Sequence, residues 1–143
     1  NYDARNKLLS FYFTFFEMLT ANRSYVVYAL EGNENVIKLK SLKLLKDLKQ
    51  DFKTFANNIG IEKIDLQQEK LGEIQDKATQ ESSWIQLVLT IKFWLDDSSA
   101  SFEKTDIFIE KSVNARFDLL DIKPLKSIID FGKFILKEKV NFN

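Results

Sequence analysis

Apolar side chains recur along this chain at spacings of three and four residues, and almost nothing interrupts them. Leu45, Leu48, Phe52 and Phe55 form one such series, and the 143 residues include one proline and four glycines. This spacing places side chains on one face of an α-helix, whereas a strand would alternate with a spacing of two. The sequence therefore predicts an all-α bundle of about six helices, and its length fits one domain over residues 1–143.

The limits of these helices follow from the polar and turn-forming residues between the apolar series. Asp3 is typical of an N-cap, and Asn22 favours a left-handed helix end. The segment 24–31 is rich in β-branched and aromatic residues, but no second strand is present to pair with it, so we expect a helix. The first helix is apolar on nearly all sides, which predicts a central position. We expect helices over about 4–20, 24–31, 35–58, 66–97, 102–120 and from Pro124 onwards, with 66–97 forming either one helix or two joined near Gly72 or 79–83.

The composition removes most kinds of catalytic and metal chemistry. The chain has no histidine and no cysteine, so the usual nucleophile–base pairs, zinc sites and redox centres lack their residues. An acidic face formed by Glu69, Glu73 and Asp76 remains, and a solvated surface is the better interpretation of it. We expect no catalytic residues, no metal, no cofactor and no enzymatic activity.

The charges balance, because 21 basic and 21 acidic side chains give a formal net charge of zero. A neutral body has no overall attraction to nucleic acid or to anionic lipid. The lysines of the third helix could form a phosphate-binding stripe, but acidic residues interrupt them, so we expect a solvated face. The longest apolar stretch, 84–95, is too short and too polar to span a bilayer. The absence of cysteine fits a cytoplasmic location, and we expect no contact with membranes.

Aromatic residues are more abundant than a small helical core requires, and they could line a cavity for an apolar ligand. Plain core packing is the alternative for each of them. Glu17 lies on the narrow polar stripe of the first helix, where it either faces water or anchors a ligand. The predicted ligand-binding residues are Tyr12, Phe15, Phe16, Glu17, Tyr25, Tyr28, Trp84 and Val88.

Two helices, 84–97 and 102–120, also carry features typical of an association surface. Small residues on the second helix would let another helix approach closely, and two helices from each of two chains would form a four-helix bundle. The alternative is an internal surface covered by the same chain. The predicted dimer interface comprises Thr90, Phe93, Trp94, Phe108, Ser112 and Ala115.

Several segments resemble the ligand-binding domain of tetracycline-repressor (TetR) family regulators. They are LLSFYFTFFE at 8–17 with NRS at 22–24, WIQLVLTIKFWLDD at 84–97, FEKTD at 102–106, IEKSVNARFDLL at 109–120 and PLKSIIDFGKF at 124–134. Together they cover nearly the whole chain. The helix-turn-helix module that reads DNA in this family has no counterpart in the sequence, which also lacks an initiator methionine.

The resemblance implies a homodimeric regulatory domain that binds a small apolar or amphipathic effector. Effector binding would move the first helix as a lever, and DNA would be contacted only through an N-terminal domain absent from this chain. Two alternatives stay open: a structural or adaptor bundle with no ligand, and a small helical enzyme acting on lipid-like substrates through carboxylates.

Overall fold

A computed structural model describes residues 2–31, 39–59, 69–120 and 123–141, and these residues form six α-helices. Within those ranges no strand is present, so the all-α prediction is confirmed. A short 3-10 turn, Ala100–Phe102, connects the fourth and fifth helices. The helices are α1 (Tyr2–Ala21), α2 (Arg23–Leu30), α3 (Leu39–Asn58), α4 (Glu69–Asp96), α5 (Glu103–Leu120) and α6 (Lys123–Asn141).

The observed helix limits settle the points that the sequence left open. α4 is one continuous helix of 28 residues that passes through Gly72. The segment rich in β-branched residues is helical, as expected. The prediction for Asn22 was wrong, because its φ is −119° rather than positive. Its side-chain amide instead donates to the Met18 carbonyl at 2.9 Å, which satisfies one of the free acceptors at the end of α1.

The core forms where α1 meets α3, α4 and α5. Ala4, Leu8, Tyr12 and Phe16 repeat every fourth residue on α1, and all four are buried. These four residues face three rows of apolar side chains, one each on α3, α4 and α5. Each of the four helices therefore buries one apolar stripe. The rows are Phe52 and Ala56 on α3, Leu87, Ile91 and Trp94 on α4, and Ile109, Val113 and Phe117 on α5.

α1 has the central position that the sequence predicts, since Leu9, Phe11, Phe15 and Leu19 also pack against the core beside its buried stripe. Phe13 and Met18 lie on its other sides and are exposed. These two exposed side chains line surface cavities. A helix that is apolar all round therefore has free apolar surface here, which is the starting point for the sites below.

α6 packs against α5 and carries an uncovered apolar face. Ile128, Phe131, Phe134 and Ile135 are all exposed, and none of the α6 side chains that the structure describes is buried. In the described part of the chain, no helix combines the length and the apolar character needed to cross a bilayer.

Candidate functional site

An open apolar groove runs between α1 and α3. Its volume is about 620 Å³, within the range of cavities that hold small organic ligands. The Phe11 ring lies between those of Phe15 and Phe55, with centroids 5.4 Å and 5.0 Å away. Polar side chains follow its rim. The lining residues are Asn6, Lys7, Ser10, Phe11, Thr14, Phe15, Met18 and Phe55, and we call this site the α1–α3 groove.

A second, more enclosed cavity lies where the end of α1 meets the junction of α4 and α5. Its volume is about 270 Å³, and its wall combines aromatic rings with two carboxylates. It shares no lining residue with the α1–α3 groove. The lining residues are Phe13, Phe16, Glu17, Thr20, Trp94, Ser101, Phe102, Thr105 and Asp106, and we call this site the corner pocket.

Asp97 organises the backbone around the corner pocket. Its buried carboxylate accepts four hydrogen bonds, from the backbone N–H and the hydroxyl of Ser99 (2.9 and 2.6 Å) and of Thr105 (2.9 and 2.7 Å). Burial acts to raise the pKa of Asp97, but these hydrogen bonds outweigh it and hold the pKa at about 2. The carboxylate therefore stays charged and joins the end of α4 to the start of α5.

The turn beside Asp97 has unusual backbone geometry. Ser101 and Phe102 have φ values of 52° and 56°, which are uncommon for residues other than glycine. Both residues line the corner pocket. The pKa of the neighbouring Asp106 is raised by partial burial and by the charge of Asp97.

Arg23 closes the same region from α2. Its two terminal nitrogens donate to the carbonyls of Trp94 and Leu95, both at 3.0 Å. The guanidinium also lies over the rings of Trp94 and Phe102, 4.5 and 4.6 Å from their centroids. The last turn of α4 contains no basic residue, so Arg23 supplies the positive charge that favours a helix C-terminus.

A polar seam crosses the core between α4 and α5. Arg116 donates to the hydroxyls of Ser82 and Ser83 at 2.9 and 2.7 Å, and burial lowers its pKa. Gln86 donates to the Ser112 hydroxyl at 3.3 Å. At the end of this seam the Tyr12 hydroxyl is buried, and burial raises the pKa of Tyr12. The hydrogen bonds of Arg116 and Gln86 fix the register between α4 and α5, because polar groups that leave water need a partner.

The structure separates the residues that the sequence grouped as one ligand site. Phe15 lines the α1–α3 groove, whereas Phe16 and Glu17 line the corner pocket. Tyr12 is fully buried in the core, so it offers no surface to a ligand. The prediction of one shared aromatic cavity therefore does not match the cavities of the described residues.

The remaining predicted ligand-binding residues lie elsewhere on the surface and in the core. Tyr25 and Tyr28 are 75% and 71% exposed on α2, which is too open for the wall of an enclosed cavity. Trp84 is half-buried against the core on α4, and Val88 is half-buried one turn later. None of these four residues lines the groove or the corner pocket.

The predicted dimer residues include both buried core residues and residues at the surface. Thr90 and Trp94 are completely buried within the protomer, so assigning them to an intermolecular surface was wrong. Trp94 donates its indole N–H to Thr20 at 3.0 Å, which fixes it against α1. Ser112 is engaged with Gln86. Phe93 and Phe108 stack on each other with centroids 4.7 Å apart and stay half-buried, and Ala115 is exposed.

The sequence also raised a lysine row and an acidic face as candidate phosphate-binding or catalytic groups. Two lysines of that row form ion pairs, and the acidic side chains lie outside the described residues. Lys49 and Lys53 both pair with Glu81 across α3 and α4, which fits a solvated face. The side chains of Glu69, Glu73 and Asp76 lie outside the described residues. In the part of the chain that is described, no cluster of three or more His, Cys, Asp or Glu side chains could hold a metal ion.

Sequence reasoning identified Phe15, Phe16 and Glu17 but missed most of the other residues that build the two cavities. Phe11 and Phe55 belong to apolar series, but the sequence gave no sign that these series meet at a groove. Arg23 follows the predicted helix end at Asn22. A lone arginine at that position gives no sign that its side chain binds the last carbonyls of another helix, far away in the sequence. Asp97 ends the segment 84–97, and nothing in the sequence indicated its role at the corner pocket.

The model of a known protein family, described as the tetracyclin repressor-like C-terminal domain, matches residues 7–135. The chain belongs to this family. The match agrees with the TetR resemblance and with the six-helix all-α architecture. Comparisons with curated proteins and with solved structures give no significant match. Membership identifies the chain as the effector-binding and dimerisation type of domain found in TetR-like transcriptional regulators.

Proposed function

We propose that this TetR-like domain dimerises and binds a small apolar or amphipathic effector in the α1–α3 groove. The family match over residues 7–135 carries the proposal. The groove supports it, because its volume of about 620 Å³ and its phenylalanine walls suit an apolar ligand. In this proposal the chain performs no reaction, and DNA is read by a separate N-terminal helix-turn-helix domain.

The position of the groove suits a regulatory role. Residues of α1 form most of its wall, from Asn6 near the start of the helix to Met18 near its end. An effector seated there would favour one spacing between α1 and α3. It can change DNA binding only if its affinity differs between two arrangements of α1.

The surface that we propose for dimerisation consists of the outer faces of α5 and α6. Phe108, Ala115 and Leu119 follow one face of α5, and Leu119 is 53% exposed. Ile128, Phe131 and Ile135 follow one face of α6 and are also exposed. A second copy would remove this apolar surface from water and complete a bundle of four helices. Phe108 and Ala115 remain from the interface predicted by sequence, whereas α6 replaces α4.

Effector binding is tested with a neutral apolar dye, 1-N-phenylnaphthylamine, displaced by medium-chain alcohols. We expect Met18→Gln to weaken dye binding about fivefold, since a polar side chain replaces one apolar wall of the groove. Ile85→Gln is the matched control, because Ile85 and Met18 are equally exposed and Ile85 lies on α4 outside the groove. Equal binding by both variants would remove the groove from the proposal, and no binding by the wild type would favour a ligand-free adaptor bundle.

Dimerisation is tested by sedimentation at micromolar concentration. We expect a dimer for the wild type and a monomer for Phe131→Lys. Burying the lysine ammonium in the middle of the apolar face would cost the free energy of its desolvation. Tyr25→Lys is the control, since Tyr25 is an exposed aromatic residue on α2, away from this face. A wild-type monomer, or a dimer that tolerates Phe131→Lys, would contradict the proposed interface.

A further inference from the structure

The corner pocket combines two features that together select a positively charged ligand. Glu17 and Asp106 reach it from α1 and α5, and both carboxylates are exposed toward solvent. The accessible aromatic walls are Phe13 and Phe102, whereas Phe16 and Trp94 line the inner side and are only 3% and 0% exposed. Aromatic faces attract cations through the negative potential above the ring, and nearby carboxylates add direct attraction.

We propose that the corner pocket binds a compact organic cation of the alkylammonium class. The apolar rings would contact the alkyl groups, and Glu17 and Asp106 would face the positive charge from opposite sides. The volume of about 270 Å³ is far smaller than that of the α1–α3 groove, so it favours a small ligand over an extended one.

The rings of this pocket already hold a cation on one side. Arg23 lies over Trp94 and Phe102, which shows that the local environment accepts a guanidinium against these faces. Arg23 is not among the pocket lining, and its charge is directed to the carbonyls at the end of α4. The C-terminus of α4 offsets part of the Arg23 charge, and Glu17 and Asp106 add two carboxylates to the pocket lining.

Asp97 stabilises the pocket without competing for the ligand. Its carboxylate is occupied by the four hydrogen bonds from Ser99 and Thr105. Those bonds fix the turn that presents Ser101 and Phe102 to the cavity. The wall is therefore formed before any ligand arrives, which lowers the entropic cost of binding.

This site is independent of the proposed effector groove. The two cavities use different faces of α1 and share no residue, so variants of one leave the lining of the other unchanged. A failure of dye binding in the groove would not affect the result at the corner pocket, and the reverse also holds.

The experiment titrates the protein with choline and tetramethylammonium, using calorimetry and ligand-observed NMR. The neutral choline isostere 3,3-dimethylbutan-1-ol measures the contribution of shape without charge. We expect both cations to bind and the neutral alcohol to bind at least about tenfold more weakly. Glu17→Gln combined with Asp106→Asn should weaken cation binding about tenfold, and Phe13→Leu should weaken it by a smaller factor.

Glu110→Gln is the matched control, since Glu110 is an exposed carboxylate on α5 outside the pocket lining. It should bind choline as the wild type does. Circular dichroism and denaturation curves establish that each variant is folded. The proposal is overturned if the neutral isostere binds as tightly as choline, if the double variant binds as the wild type does, or if no cation binds at millimolar concentration.

Discussion

At the scale of single residues, Asp97 has the largest structural role of any carboxylate described. Four donors surround it, all from Ser99 and Thr105. A carboxylate can accept all four, whereas an amide of the same shape presents two donors of its own on one side. The α4–α5 junction therefore depends on charge and not only on shape.

We predict that Asp97→Asn lowers the free energy of unfolding by about 1–3 kcal/mol, because the Thr105 backbone N–H loses its acceptor while still buried. Chemical denaturation at neutral pH measures the change. Asp96→Asn is the control, since Asp96 is exposed and forms an ion pair with Lys92 one turn away. A loss of similar size in both variants would contradict the role given to Asp97.

The same residue predicts a pH dependence with a definite sign. The pKa of Asp97 in the folded protein is about 2, below the ordinary value of 3.8. Its contribution to stability is therefore complete above about pH 4 and is lost as the pH falls towards 2. We measure the free energy of unfolding by chemical denaturation at a series of acidic pH values. The decrease between about pH 4 and pH 2 that Asp97 causes should be present in the wild type and missing in Asp97→Asn.

Residue positions were the part of the molecule that the sequence predicted least well. Trp94 and Thr90 lie on a helix with apolar residues on nearly every side, so periodicity alone does not indicate which side meets α1 and which meets a partner. Trp94 is in fact fixed by a hydrogen bond to Thr20, 74 positions away in the chain. Such long-range contacts leave no mark in a local pattern.

At the scale of helices, α6 differs from the others because none of its described side chains belongs to the buried core. Gly132 lies in its middle, and a Cβ added there would meet no heavy atom within 4 Å. Glycine inside a helix costs about 1 kcal/mol relative to alanine, so this position carries a local cost with no packing reason inside the protomer.

We predict that Gly132→Ala raises the free energy of unfolding by about 0.5–1 kcal/mol and leaves the dimer intact. Gly132→Ser provides a graded comparison, with a smaller gain because serine is a weaker helix former. Denaturation and sedimentation measure the two effects separately. Loss of the dimer in Gly132→Ala would mean that this glycine lies at a close contact between helices of the two copies. That result would contradict an interface centred on Phe131.

Helix positions were predicted well, because the information they need is local. The apolar series and the residues between them located all six helices, with ends differing by a few residues where the structure describes them. Asn22 ends α1 by a side-chain hydrogen bond and not by a left-handed turn, although its position in the chain was predicted correctly.

At the scale of the whole molecule, the fold class and the family follow from the sequence, and the cavities do not. The groove beside Phe11 and Phe55 forms between two helices that lie far apart in the sequence. No residue pattern within either helix records how the two are placed. The groups predicted for one ligand site are therefore distributed over two cavities, the core and an open surface.

We predict that dimer formation makes thermal stability depend on protein concentration. The midpoint Tm of the wild type should rise as the concentration increases, because association stabilises the folded state. Phe131→Lys should show a constant Tm over the same range. A wild-type Tm that is independent of concentration, in a range where sedimentation shows both species, would contradict coupling between folding and association.

The hydrogen bonds of Arg23 bear on how α1 could move. They join α2 to the final carbonyls of α4, and Asp97 joins that same end of α4 to α5. One end of α1 is thus anchored in a rigid corner, since Thr20 is held there by Trp94. If α1 swings when an effector enters, the pivot lies at this corner, and the displacement grows along the helix to its greatest amplitude at the opposite tip.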